Sequence, residues 1–121
     1  MKTTREAIEK ALDERKDRSA WDKGVTAYAY ELLDNIDFTK ETFKKDDLLN
    51  GADNWSAYSW GGCSFIYDSD IAETLCTPSE LKRNKGGENR PNSREKWLDV
   101  QARALFQAAN RLSRIVKTLE A

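Results

Sequence analysis

Apolar side chains recur along the last third of the chain at alternating steps of four and three: Leu98, Ala102, Leu105, Ala109, Leu112, Val116 and Leu119. That spacing holds them on one face of a helix, so the pattern predicts an amphipathic helix from residue 92 to about residue 120. Trp97, Phe106, Ala108 and Ile115 flank this seam and widen it, as burial in a globular bundle requires. Asp99, Arg103, Gln107, Asn110, Arg114 and Lys117 fall on the opposite side, toward water. Asn92 with Glu95 three residues later reads as a capping box, and Pro91 bars a helix from running in from upstream. Arg111, Arg114 and Lys117 suit the C-terminal end of the helix dipole.

The same rhythm appears at the other end. Thr3 and Glu6 read as a capping box ahead of Ala7, Ile8, Ala11 and Leu12. A charged run over residues 14–18 interrupts the stripe, which resumes at Trp21, Val25, Tyr28, Leu32 and Ile36. The pattern fits one long helix over residues 4–35, or two helices broken near Asp17, packed antiparallel on the C-terminal helix. Gly24 interrupts the second stretch at a helical cost of up to about 1 kcal/mol against Ala, which is repaid if another segment needs close approach there. Thr39 is a candidate cap, and Phe43, Leu48 and Leu49 form a short amphipathic helix ending at Asn50-Gly51.

The middle is aromatic. Trp55, Tyr58, Trp60, Phe65 and Tyr67 crowd around Gly61-Gly62, and two readings compete, a hairpin turning at the glycines or two short helical turns jointed there. The second is favoured, because a single hairpin is marginal alone and no other strand-like run is evident to pair with it. Asp68 or Ser69 then caps a helix carrying Ile71, Ala72 and Leu75 inward. Thr77-Pro78 with Glu80 starts another short turn, and residues 84–92 read as a flexible loop. The whole is expected to be mainly α: one single-domain helical bundle over residues 1–121, its two long N- and C-terminal helices packed around shorter central helices and the aromatic, glycine-containing segment.

Composition narrows the chemistry more than it names it. Four Trp, four Tyr and four Phe supply bulky core material although charged residues make up 34% of the chain. The net charge of −1 leaves no phosphate-neutralising field over the whole molecule, so any nucleic-acid attraction must be local. No stretch approaches the ~20 apolar residues of a membrane span, and the first residues lack the apolar run of a signal peptide. A cytoplasmic protein is therefore expected, with Cys63 and Cys76 as reduced thiols; a disulfide between them would require an oxidising compartment. The chain has no histidine, which removes the commonest general base and the commonest transition-metal ligand. Cys63 and Cys76 lack metal-ligand spacing, and Asp68 with Asp70 reads better as helix capping than as an acid–base pair. No catalytic residue, cofactor or metal is expected.

Two stretches suggest binding. Residues 70–82 have the rhythm of a helix-turn-helix, although Thr77 and Lys82 occupy places where that unit wants apolar residues. Lys82, Arg83, Lys85, Arg90 and Arg94, less Glu88, give a local charge of +4 suited to a phosphate backbone or an acidic protein surface. Residues 31–53 carry the opposite balance, −4, on what reads as a solvated face.

Ser59-Trp60-Gly61-Gly62-Cys63-Ser64, Ile66-Tyr67-Asp68, Asp70-Ile71-Ala72-Glu73, Leu75-Cys76, Pro78-Ser79-Glu80-Leu81-Lys82, Pro91-Asn92-Ser93-Arg94 and Trp97-Leu98-Asp99-Val100-Gln101-Ala102-Arg103-Ala104 form a distinctive order. In it the chain resembles small accessory proteins encoded on plasmids, conjugative elements and phages of anaerobic gut bacteria. The resemblance implies a genomic setting in which short proteins often act as regulators or as inhibitors of host defence. The expectation is a non-enzymatic accessory protein of a mobile element, an anti-CRISPR-like inhibitor that binds a host or element-encoded protein. Trp55, Tyr58, Trp60, Lys82, Arg83, Lys85, Arg90 and Arg94 are the candidate contacts. The alternative is a nucleic-acid-binding regulator using residues 70–94, with weak nucleic-acid affinity and no membrane partner.

Overall fold

The computed structural model describes residues 2–46, 48, 74–83, 86 and 89–121, with backbone alone at Asn89, Arg90 and Arg94. The aromatic segment over residues 55–67, and with it Trp55, Tyr58, Trp60 and Cys63, lies outside the described residues, as does Lys85.

The described residues are mainly helical. Helix α1 spans Arg5–Glu14, α2 Ala20–Leu32 and α3 Arg94–Glu120. The N-terminal pattern resolves into its two-helix form, with Arg15 to Ser19 as the joint. The interruption has local causes: Ser19 caps α2 by accepting the Asp22 N–H at 3.1 Å, and the Asp22 carboxylate accepts the Arg18 N–H at 3.0 Å. Two other caps sit one residue later than their sequence signatures. Thr4, not Thr3, caps α1 through the Ala7 N–H, and Ser93, not Asn92, caps α3. Asn92 is engaged elsewhere, its side chain donating to the Ser79 carbonyl at 2.7 Å and its backbone to that of Glu80 at 2.9 Å. Thr39 likewise is no helix cap; its N–H closes a turn on the Asp37 carboxylate at 2.9 Å.

Trp21 and Asp22, early in α2, meet Gln107 and Arg111 in the second half of α3. Tyr28, late in α2, meets Gln101 in the first half, so the two helices run antiparallel. Helix α1 leans on both. The shared core holds Ile8 and Leu12 of α1, Val25, Tyr28, Ala29 and Leu32 of α2, and Trp97, Leu105, Ala108 and Leu112 of α3. Each large apolar side chain removed from water contributes about 1.5–3 kcal/mol, which is what draws three amphipathic faces together.

The inner face of α3 follows the predicted seam through Leu105, Ala109, Leu112 and Val116, all buried, and departs from it at both ends. Val100, Gln101 and Ala104 are buried, whereas Ala102 is exposed and Leu98 only half-buried. Phe106 and Leu119 are 49% and 42% exposed. The large ring of Trp97, 1% exposed, fixes the rotation at the start of the helix.

Gly24 meets its expected neighbour. A methyl group there would lie 2.8 Å from Leu75 Cγ and closer still to its Cδ2, so the missing side chain makes the room that Leu75 fills. Cys76 follows as a buried free thiol, pushed up to about 11 by burial and then by the Glu80 charge.

The stretch read as a loop contains a hairpin. After a 3-10 turn at Pro78–Glu80, strand β1 (Leu81–Arg83) pairs antiparallel with β2 (Asn89–Pro91), with Leu81 opposite Pro91 and Lys82 opposite Arg90. Leu81 packs against the core and Pro91 is buried, which gives three-residue strands the anchorage a bare hairpin lacks. The turn has the predicted start: Thr77 N–H donates to the Glu80 carboxylate at 2.8 Å and Glu80 N–H to the Thr77 carbonyl at 2.9 Å. These Thr77 donors hold the Glu80 carboxyl below its usual range, the backbone N–H first and the hydroxyl second.

Candidate functional site

Two polar surfaces emerge, at opposite ends of α3. The first is the basic hairpin. Burial of Leu81 commits one end of β1 to the core, and Lys82 and Arg83 are both exposed. The register sets position 82 directly opposite position 90, basic on both strands. Arg94 follows at the first residue of α3. The structure thus gathers positions 82, 83, 90 and 94 around one short hairpin and its exit. A second helix of a helix-turn-helix is absent there: the 3-10 turn and β1 occupy the residues it would need.

The second surface escaped the sequence reading. The C-terminal end of α1 and the second half of α3 bound a groove of about 440 Å³, lined by Ala11 and Arg15 on one side and by Gln107, Asn110, Arg111, Arg114 and Ile115 on the other. Asp22 lies behind it and braces two of the arginines. Arg15 Nη2 donates to both Asp22 oxygens at 2.9 and 3.1 Å, and Arg111 Nη2 donates to the same carboxylate. Arg111 Nη1 also donates to the Thr26 hydroxyl at 2.7 Å, and that hydroxyl donates to Asp17 at 2.6 Å. Partial burial alone would raise the Asp22 carboxyl; the Arg18 backbone N–H and the Arg15 and Arg111 guanidinium groups outweigh it and bring the group down to about 2.

The two amides of the groove are oriented by neighbours that can only donate. Trp21 Nε1 donates to Gln107 Oε1 at 2.8 Å, and Lys45 Nζ donates to Asn110 Oδ1 at 2.9 Å. Neither an indole N–H nor an ammonium accepts, so the carbonyl side of each amide must face its donor. Cations cover the outer rings of the same face: Arg103 lies over Trp21 at 5.7 Å and Lys45 over Phe106 at 5.2 Å.

The signal for this groove was present in part. Gln107, Asn110 and Arg114 recur at helical spacing but read as the solvated side of α3, and Arg111 read only as a charge suited to the helix dipole. The bend that brings Arg15 across to them leaves no periodic trace.

Among the described residues no group of three His, Cys, Asp or Glu side chains could hold a metal ion, and no helix is long and apolar enough to cross a membrane. No family model, curated protein or solved structure matches the chain.

Proposed function

We propose that this protein is a non-enzymatic binding protein that docks the basic hairpin on an acidic protein surface. The carrying observation is the exposure of Lys82 and Arg83 on a strand whose opposing position is also basic. An acidic partner would complement these basic positions. The resemblance to accessory proteins of mobile elements makes a host defence protein the class of partner, and an inhibitor the role. Arg94 is proposed as a further basic contact, and Trp55, Tyr58 and Trp60 as aromatic anchors.

A protein surface is favoured over nucleic acid because the second helix that would enter a groove is replaced by strand, and the net charge is −1. Duplex binding measured against salt distinguishes the two. Contacts to phosphates would give a slope of about −0.9 per contact in log affinity against log salt, reduced by Lys82→Glu and Arg83→Glu. The protein-docking reading expects only weak duplex binding at physiological salt. Submicromolar duplex affinity with a steep slope would replace it.

A further inference from the structure

We infer that the groove between α1 and α3 is a binding site for a small organic phosphate, of the nucleoside diphosphate class. The argument is a census of hydrogen-bonding capacity. Gln107 and Asn110 have given their acceptor oxygens to Trp21 and Lys45, which leaves their NH2 groups as the free ends. Arg15 and Arg111 are held from behind by Asp22 and Thr26, and each guanidinium keeps further N–H groups beyond those bonds. Among the described residues no hydrogen bond or ion pair engages the Arg114 guanidinium. Apart from the second lone pair on each amide oxygen, every side-chain polar group left over in the lining is therefore a donor, a composition that suits a ligand made of acceptors.

Charge agrees with the census. Asp22 and Asp17, on the rear side, offset two of the three arginines and leave the lining positive. Bracing also removes part of the ordering cost that flexible surface arginines incur when they bind. Donors stand on both walls, Arg15 on one and Arg111 and Arg114 on the other, which favours more than one phosphate over a single one. The volume of about 440 Å³ is in the range of small-molecule sites and leaves room beside the charged end, where Ala11 and Ile115 offer apolar surface to a non-ionic moiety.

The structure also supplies the test. Asn110→Asp and Gln107→Glu keep the acceptor that Lys45 and Trp21 use, while they replace the amide donor by an acceptor and add a negative charge. Arg114→Gln removes a side chain with no structural bond. ADP and pyrophosphate, titrated calorimetrically at constant ionic strength near 0.15 M, are the probes. ADP is expected to bind more tightly than pyrophosphate, and each substitution to weaken ADP tenfold or more with the ligand-free melting temperature unchanged. Absence of ADP binding below millimolar concentration would overturn the assignment. So would an ADP affinity that Arg114→Gln and Asn110→Asp both leave intact.

Discussion

Gly24 carries information out of proportion to its size. In an exposed helix Gly24→Ala would add up to about 1 kcal/mol of helix stability. Here the new methyl group would run into Leu75, itself 6% exposed and short of room to retreat. Overpacking of this kind costs about 1–3 kcal/mol, so Gly24→Ala is expected to destabilise, and shortening Leu75 to Ala in the same chain should recover part of that loss. Urea denaturation of the two single variants and the double variant reads the coupling directly. Asp22 is the second such residue. Its folded carboxyl sits near 2 against an ordinary 3.8, so the stability it contributes is fully present above about pH 4 and is lost as the pH falls through 2. Asp22→Asn should destabilise the protein at neutral pH and narrow the gap to the parent as acid is added. A constant difference from pH 7 to pH 2 would deny the ion-paired role. Neither Arg111 nor Gln101 was legible in these terms. A polar residue on a helix looks solvated until its partner, 89 residues away for Arg111 and 73 for Gln101, is known.

At the scale of elements, hydrophobic periodicity located the three helices of the described residues and the stripes of α1 and α2. On α3 it was right through Leu105, Ala109, Leu112 and Val116 and wrong at Leu98, Ala102 and Leu119, the ends of the seam. The seam from Leu98 to Leu119 was drawn through every well-spaced apolar residue, including small ones that lose little by exposure. Burial instead follows the bulk of Trp97 and takes in Gln101, whose Nε2 donates to the Tyr28 hydroxyl at 3.2 Å. Leu105→Ala and Leu112→Ala are therefore expected to cost about 2–5 kcal/mol each in chemical denaturation, and Leu98→Ala clearly less. Equal losses at all three positions would restore the original seam. The hairpin was missed for a different reason. Strands of three residues are too short to display alternation, and the glycines and charges between them have the composition of a loop. Its stability comes from tertiary anchors, Leu81 on the core and Asn92 on Ser79 and Glu80, that no local pattern announces.

For the whole molecule, the balance of charge conceals its arrangement. A net charge of −1 describes a protein that still carries two local basic groups, at the hairpin near the start of α3 and at the groove along its second half. The separation from residue 94 to residue 107 along α3 is roughly 20 Å, enough for the two surfaces to act independently at physiological salt. The basic residues of the hairpin were legible because charge clusters survive without knowledge of the fold. The groove was not, because its walls come from elements far apart in sequence.

The central claim is that the hairpin binds an acidic protein. It is tested most directly by a photo-crosslinking residue at position 82, with capture from host-cell extract in the presence of nuclease and mapping of the joined peptide. One recurrent partner is predicted, joined through an acidic segment, insensitive to nuclease and lost on Arg83→Glu while the melting temperature holds. Cross-links that vanish with nuclease, or that scatter over many proteins and persist in Arg83→Glu, would contradict it.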